Sequence, residues 1–150
     1  MQLSENFSLA ELTNSQTATR KGISNEPTDD HIANLMRLVE NILQPCRDEF
    51  GAIIITSGYR SAALNEAIGG STRSQHSKGE AADFHAKTVD CLALGKWIAN
   101  NLDFDQLIFE FIDSPTGGWI HCSSSGDNRG EILKAEKQNG KTVYTQMELF

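Results

Sequence analysis

A histidine and an aspartate stand seven positions apart in Ser74-Gln75-His76-Ser77-Lys78-Gly79-Glu80-Ala81-Ala82-Asp83, and a second imidazole, His121, lies downstream in Gly118-Trp119-Ile120-His121-Cys122-Ser123. Two nitrogens and one carboxylate oxygen suit a catalytic zinc, which takes three protein ligands and leaves a further position to water. His76, Asp83 and His121 are therefore the candidate ligands for one zinc ion per chain. Each residue taken singly has a plainer reading, as a hydrogen-bonded His–Asp pair or a core histidine. His85 competes with Asp83, because residues two apart on a strand share a face.

Hydrolysis also needs a group that takes a proton from water and returns it to the departing amine. Glu110 is the candidate: it interrupts the apolar run Leu107-Ile108-Phe109-Glu110-Phe111-Ile112, where an ionised carboxylate is costly without a partner. Its alternative is an edge-strand carboxylate with no catalytic part. Arg60, just past a β-branched run, offers a guanidinium to a substrate carboxylate or to the oxyanion of a tetrahedral intermediate. A surface ion pair is its other reading. Trp119 either walls a pocket or packs in the core, and the Ser74 hydroxyl suits a turn cap. Arg129, in a loop, is a weaker substrate contact.

The elements that must position these groups follow from pattern. Ser8 and Glu11 have capping-box spacing, with Phe7 and Leu12 as a hydrophobic staple; Thr13 to Glu26 reads as loop. Thr28 caps a helix with an apolar stripe of Ile32, Leu35, Met36, Val39, Ile42 and Leu43. Pro45 ends or kinks that helix, or it continues to a stop at Gly51. His31, in its first polar turn, reads as solvated. Ala52 to Thr56 is a buried strand, Ser61 to Ile68 a short helix, Ala82 to His85 a strand and Asp90 to Asn101 an amphipathic helix. Gln106 to Ile112 and Trp119 to Ser123 form an antiparallel pair that brings Glu110 close to His121. Asn139-Gly140 marks a final hairpin between Ile132 to Glu136 and Thr142 to Met147.

Ser74, His76, Gly79, Ala81 and Asp83 fill a pattern S-x-H-x-x-G-x-A-x-D that resembles the signature of the M15 zinc D-Ala-D-Ala carboxypeptidases. Thr56-Ser57-Gly58-Tyr59-Arg60-Ser61 and Trp119-Ile120-His121 support the resemblance, which runs from about Phe7 to Leu133. Within that family the chain resembles the small members of phage and prophage origin. The resemblance implies an α+β fold of the hedgehog/DD-peptidase type, a small, mainly antiparallel sheet packed with helices. It implies zinc on His76, Asp83 and His121, a charge-holding role for Arg60, and a part for Ser74 in ordering the substrate or the ligand loop. The implied activity is cleavage of a peptide bond in the peptidoglycan stem peptide, as a D-Ala-type carboxypeptidase or endopeptidase. In the dipeptidase branch the catalytic glutamate lies three residues before the last histidine, where this chain has Gly118. Residues 111 to 118 then read as a longer hairpin loop, with Glu110 in the equivalent place. A metal-binding module of the same fold without catalysis, serving in a phage particle or an interaction complex, is the rival function.

One domain over residues 1–150 is expected, with a helical segment at about 7–50, a metal-site core at about 52–133 and a hairpin at about 131–150. A net charge of −7 and a pI near 5.0 weigh against nucleic-acid and anionic-membrane partners. No run is long enough to span a bilayer. No leader is visible at Met1 to Glu5. The odd set Cys46, Cys91 and Cys122 fits thiols kept reduced in the cytoplasm, so a wall substrate implies release or delivery from the cell. Cys122 should face the core, opposite to His121. Oligomeric state is open.

Overall fold

The computed structural model describes residues 1–149, and the end of the expected hairpin at residue 150 lies outside them. Six helices and six strands follow one another as α1 (Leu9–Thr13), α2 (Gln16–Lys21), α3 (Asp29–Leu38), α4 (Gln44–Phe50), β1 (Ile53–Ser57), α5 (Ala62–Ala67), β2 (Ala81–Ala86), α6 (Cys91–Asn101), β3 (Gln106–Glu110), β4 (Trp119–Ser123), β5 (Glu131–Gln138) and β6 (Lys141–Gln146). A π-helical turn, Val39–Leu43, joins α3 to α4, and a 3₁₀ turn, Gln75–Lys78, precedes β2. The strands form one sheet in the order β1-β2-β4-β3-β5-β6. Every pairing is antiparallel except β3 with β5. The architecture is the expected α+β, with a mainly antiparallel sheet.

Alternation along the strands gives the sheet two different faces. Phe84, Ile120, Cys122, Leu107 and Phe109 are fully buried and share one core with Leu35, Leu38, Val39, Ile42, Leu43 and Cys46 of the long helical segment and with Leu94 and Ile98 of α6. Gly95 lets α6 approach, since a Cβ there would stand 2.1 Å from the Phe109 ring. Cys122 is on this core face, as expected. The opposite face carries the residues able to do chemistry.

Several local expectations change. The stretch from Thr13 to Glu26 contains α2, capped by the Ser15 hydroxyl, which accepts from Ala18 N–H at 3.1 Å, and stopped by left-handed Gly22. With only Ala18 buried, α2 lacks the apolar period that marks a helix in sequence. Met36 is 46 % exposed while Leu38 is buried, so the stripe of α3 runs slightly to one side of its expected line. Pro45 does not end the helix. Its ring would press on the carbonyl four residues back, and the wider π turn immediately before it makes room. His31 is not simply solvated: Nδ1 accepts from Thr28 N–H at 3.2 Å, completing the cap of α3, and the ring lies 4.8 Å from that of Tyr59. Strand β1 is a sheet edge with only Ile53 fully buried. Strand β3 stops at Glu110, because Phe111 takes a positive φ of 54°. The final hairpin turns at Asn139-Gly140 as expected, with both residues at positive φ. No described helix is long and apolar enough to cross a membrane.

Candidate metal centre

The loop leaving β1 builds the first half of the site. Gly58 passes so close to α1 that a Cβ would lie 2.3 Å from the Leu12 carbonyl oxygen, and Tyr59 N–H donates to that same oxygen at 2.7 Å. The Asn25 amide group donates to the Thr13 and Tyr59 carbonyls and its oxygen accepts from Ser61 N–H at 2.7 Å. Held in this way, the Gly58 carbonyl lies 2.7 Å from His76 Nδ1. With the Nδ1 proton donated there, the lone pair of Nε2 is free to face a cation.

His76 sits in the 3₁₀ turn, where the Ser74 hydroxyl accepts its N–H at 3.2 Å. Gly79 closes the turn at φ 77°, and a Cβ there would stand 2.6 Å from the His31 carbonyl oxygen. Both the backbone geometry and the contact demand glycine. Gly79→Ala is therefore expected to cost roughly 2–4 kcal/mol of stability, read as a lower denaturation midpoint. A cost below 0.5 kcal/mol would show that the turn adapts.

Two residues beyond Ala81 comes Asp83, whose strand partners are Ser57 on β1 and His121 on β4. Ladder partners share a face, so aspartate and imidazole meet. Asp83 Oδ1 lies 2.9 Å from His121 Nδ1 and 3.2 Å from His76 Nε2. One donor atom from each of His76, Asp83 and His121 lies within 4.8 Å of the others, a group able to hold a metal ion. The His76 side chain is 3 % exposed, those of Asp83 and His121 16 % and 12 %, so the cluster is walled in behind and open in front. Burial pushes the Asp83 carboxyl up, but the adjacent imidazoles of His121 and His76 outweigh it and hold the group well below the usual carboxylate range. Burial lowers the His76 pKa against the pull of Asp83, which favours the neutral, ligating imidazole. His85 shares the face of Asp83 but is paired with Ile54 towards the sheet edge, about 7 Å along the strand, and is not in the group.

The cluster opens into a cleft of about 760 Å³ whose lining includes Arg60, Arg73, Ser74, Glu110, Trp119 and Tyr144. Every expected site residue borders this space. Glu110 is opposite Trp119, and Ile108, two residues back on the same face, is opposite His121. Burial, with the charge of Asp83 adding and His121 opposing, raises Glu110 to about 7. Arg60 is half-buried; Nη2 lies 3.5 Å from the Ser74 hydroxyl, and Nε has no partner among the described residues. Burial lowers its pKa against the attraction of Asp83.

A model of the Peptidase M15 family matches residues 5–123, which takes in the loop, the 3₁₀ turn and both histidine-bearing segments. The chain belongs to peptidase family M15. It is thus a hydrolase of a zinc-dependent metallopeptidase family, and its His₂Asp donor set fits the metal that such peptidases use. No curated protein matches the chain.

This M15 peptidase also has supports that sequence reasoning missed. Asp105, 3 % exposed, accepts from Gln75 Nε2 at 2.9 Å and from Arg129 Nε and Nη2 at 2.9 and 3.0 Å. It ties the turn carrying His76 to the end of β4 and directs Arg129 along the cleft rim. Arg37 pairs with Glu80 at 3.0 Å, and Asn34 donates to the Lys78 carbonyl at 2.8 Å, so α3 grips the same turn. Asn25 was hidden in a stretch with no period. Its one signal is amide chemistry, common to any loop.

Proposed function

We propose that this M15 peptidase hydrolyses a peptide bond in the peptidoglycan stem peptide, beside D-alanine, as a carboxypeptidase or endopeptidase. One zinc ion per chain is held by His76, Asp83 and His121. Bound there, it supplies Lewis acidity towards the scissile carbonyl and towards water. Glu110 takes the proton from the attacking water and returns it to the departing nitrogen, so no net proton is left on the protein. Arg60 faces the negative charge that develops on the carbonyl oxygen or that a substrate carboxylate carries. Ser74 positions both His76 and Arg60, and Trp119 lines the cleft beside Glu110.

The observation that carries this reading is a carboxylate in the middle of a sheet face, beside the cluster, with its pKa raised by burial. A module that only bound metal would have no use for a partly buried Glu110 beside the cluster and an Arg60 guanidinium with no carboxylate partner among the described residues. Its substrate lies in the wall, so the enzyme acts after release or delivery.

Zinc-loaded protein incubated with purified peptidoglycan of several stem types is expected to release new amino and carboxyl ends, located by mass spectrometry. No new ends from any wall type would overturn the reading in favour of the silent module. Arg60→Lys exchanges a planar fork for a point charge and is expected to lower kcat/KM about 100-fold at unchanged zinc content. A loss of less than twofold would remove Arg60 from the mechanism.

A further inference from the structure

One wall of the cleft lies beyond residues 5–123, the span matched by the family. Strands β5 and β6 extend the sheet past β3, and their register continues a single row across four strands. Trp119, Glu110, Ala135 and Tyr144 are successive Cα partners on β4, β3, β5 and β6. Partners in a ladder point to one face, so Tyr144 shares the face of Glu110, on the side away from His121. Neighbouring strands lie about 4.8 Å apart, which puts the Cα atoms of Glu110 and Tyr144 roughly 10 Å apart. Between them stands Ala135, fully buried and ending at its methyl group. Tyr144 and Glu110 both line the cleft.

Tyr144 lines the cleft that holds the His76–Asp83–His121 cluster, yet is 53 % exposed. Burial, and then the charges of Glu110 and Asp83, raise its pKa, so the hydroxyl remains a hydrogen-bond donor at neutral pH. The face is ordered from Asp83 on β2 through His121 on β4 and Glu110 on β3 to Tyr144 on β6. The scissile carbonyl belongs at the cluster and the departing nitrogen must reach Glu110. The substrate residue on the amine side therefore continues past Glu110, towards β6.

We propose that Tyr144 is a substrate-binding residue for the amine side of the cleaved bond, its hydroxyl donating to a carbonyl or carboxylate oxygen of the departing residue. The inference rests on the peptidase reading of the cleft. It gives the C-terminal hairpin a part in selecting the leaving group.

The test uses zinc-loaded Glu110→Ala protein, which holds substrate without turning it over, and a soluble disaccharide–stem-peptide fragment from peptidoglycan. Adding Tyr144→Phe is expected to weaken binding of the intact fragment about 10-fold. Binding of the acyl-side product alone should stay within twofold, and zinc content and melting temperature should not change. A purely structural role would weaken both ligands together. Equal binding of the intact fragment with and without the Tyr144 hydroxyl would overturn the inference. If wild-type enzyme still cleaves peptidoglycan in that case, only the inference falls. A fragment bound by none of the proteins, with no cleavage by wild type, removes the peptidase reading and this inference with it.

Discussion

Glu110→Ala is expected to retain one zinc per chain and to lower kcat at least 10³-fold, because the side chain that moves the proton is gone while the three ligands are untouched. Glu110 is a strand neighbour of the ligand row: its partner is Trp119, and the residue opposite His121 is Ile108. Metal content measured by mass spectrometry beside turnover separates the outcomes. Zinc lost together with activity would make Glu110 a ligand, and activity within tenfold of wild type would leave the proton to another group. Titration gives a readout independent of substrate. In the metal-free protein Glu110 is raised from the ordinary 4.5 to about 7, so the folded state binds a proton more tightly than the unfolded one. Its contribution is fully present below about pH 4.5 and lost as pH rises through 7. Discounted for solvent at the cleft, the loss is on the order of 1–2 kcal/mol. Glu110→Gln should flatten that part of the stability–pH curve, and an unchanged curve would mean the carboxylate is better solvated than its place on the sheet implies.

Asp83→Ala should have the largest effect on metal binding. The carboxylate oxygen stands between the two imidazoles, 2.9 Å from one and 3.2 Å from the other, and its removal leaves two neutral ligands with no counter-charge for a dication. Zinc affinity is expected to fall about 10³-fold. Wild-type protein with zinc at a thousandfold excess over Kd should gain about 4 kcal/mol, a rise in melting temperature of about 10 °C. Asp83→Ala should lose nearly all of this rise and His85→Ala none. If His85→Ala abolished it instead, the ligand set would be wrong. Acid adds a check on the metal-free protein. The Asp83 pKa is depressed in the fold, so its contribution is present above the ordinary carboxylate range and is lost as pH falls below about 4. Asp83→Asn removes that dependence.

The differing legibility of these residues has physical causes. His76 and Asp83 were readable together because one short segment supplies both, with Gly79 between them where a positive φ and the His31 carbonyl admit no side chain. Glu110 was readable because a charge in an apolar strand is an energetic exception. Asn25 and Asp105 were not, since their importance lies in partners 34 and 24 positions away, Tyr59 and Arg129. Helix α2 leaves no periodic signal because it buries only Ala18, and Pro45 reads as a possible break because a π turn leaves no mark in composition. The hairpin around Asn139-Gly140 was plain, yet nothing in it announced that Tyr144 would share the sheet face of Glu110.

By themselves, the residues determined which chemistry was available: two imidazoles, a carboxylate, a strand-borne glutamate and an arginine after a tight turn. They also determined the two-faced strands, through alternation of apolar and polar side chains. The tertiary structure decided which of these groups meet. Asp83 rather than His85 joins the histidines because β2 pairs with β4 in the register that sets Asp83 against His121, and a slip of one residue would turn every such group to the other face. Register depends on the packing of the whole sheet against its helices, and no local stretch of sequence contains it.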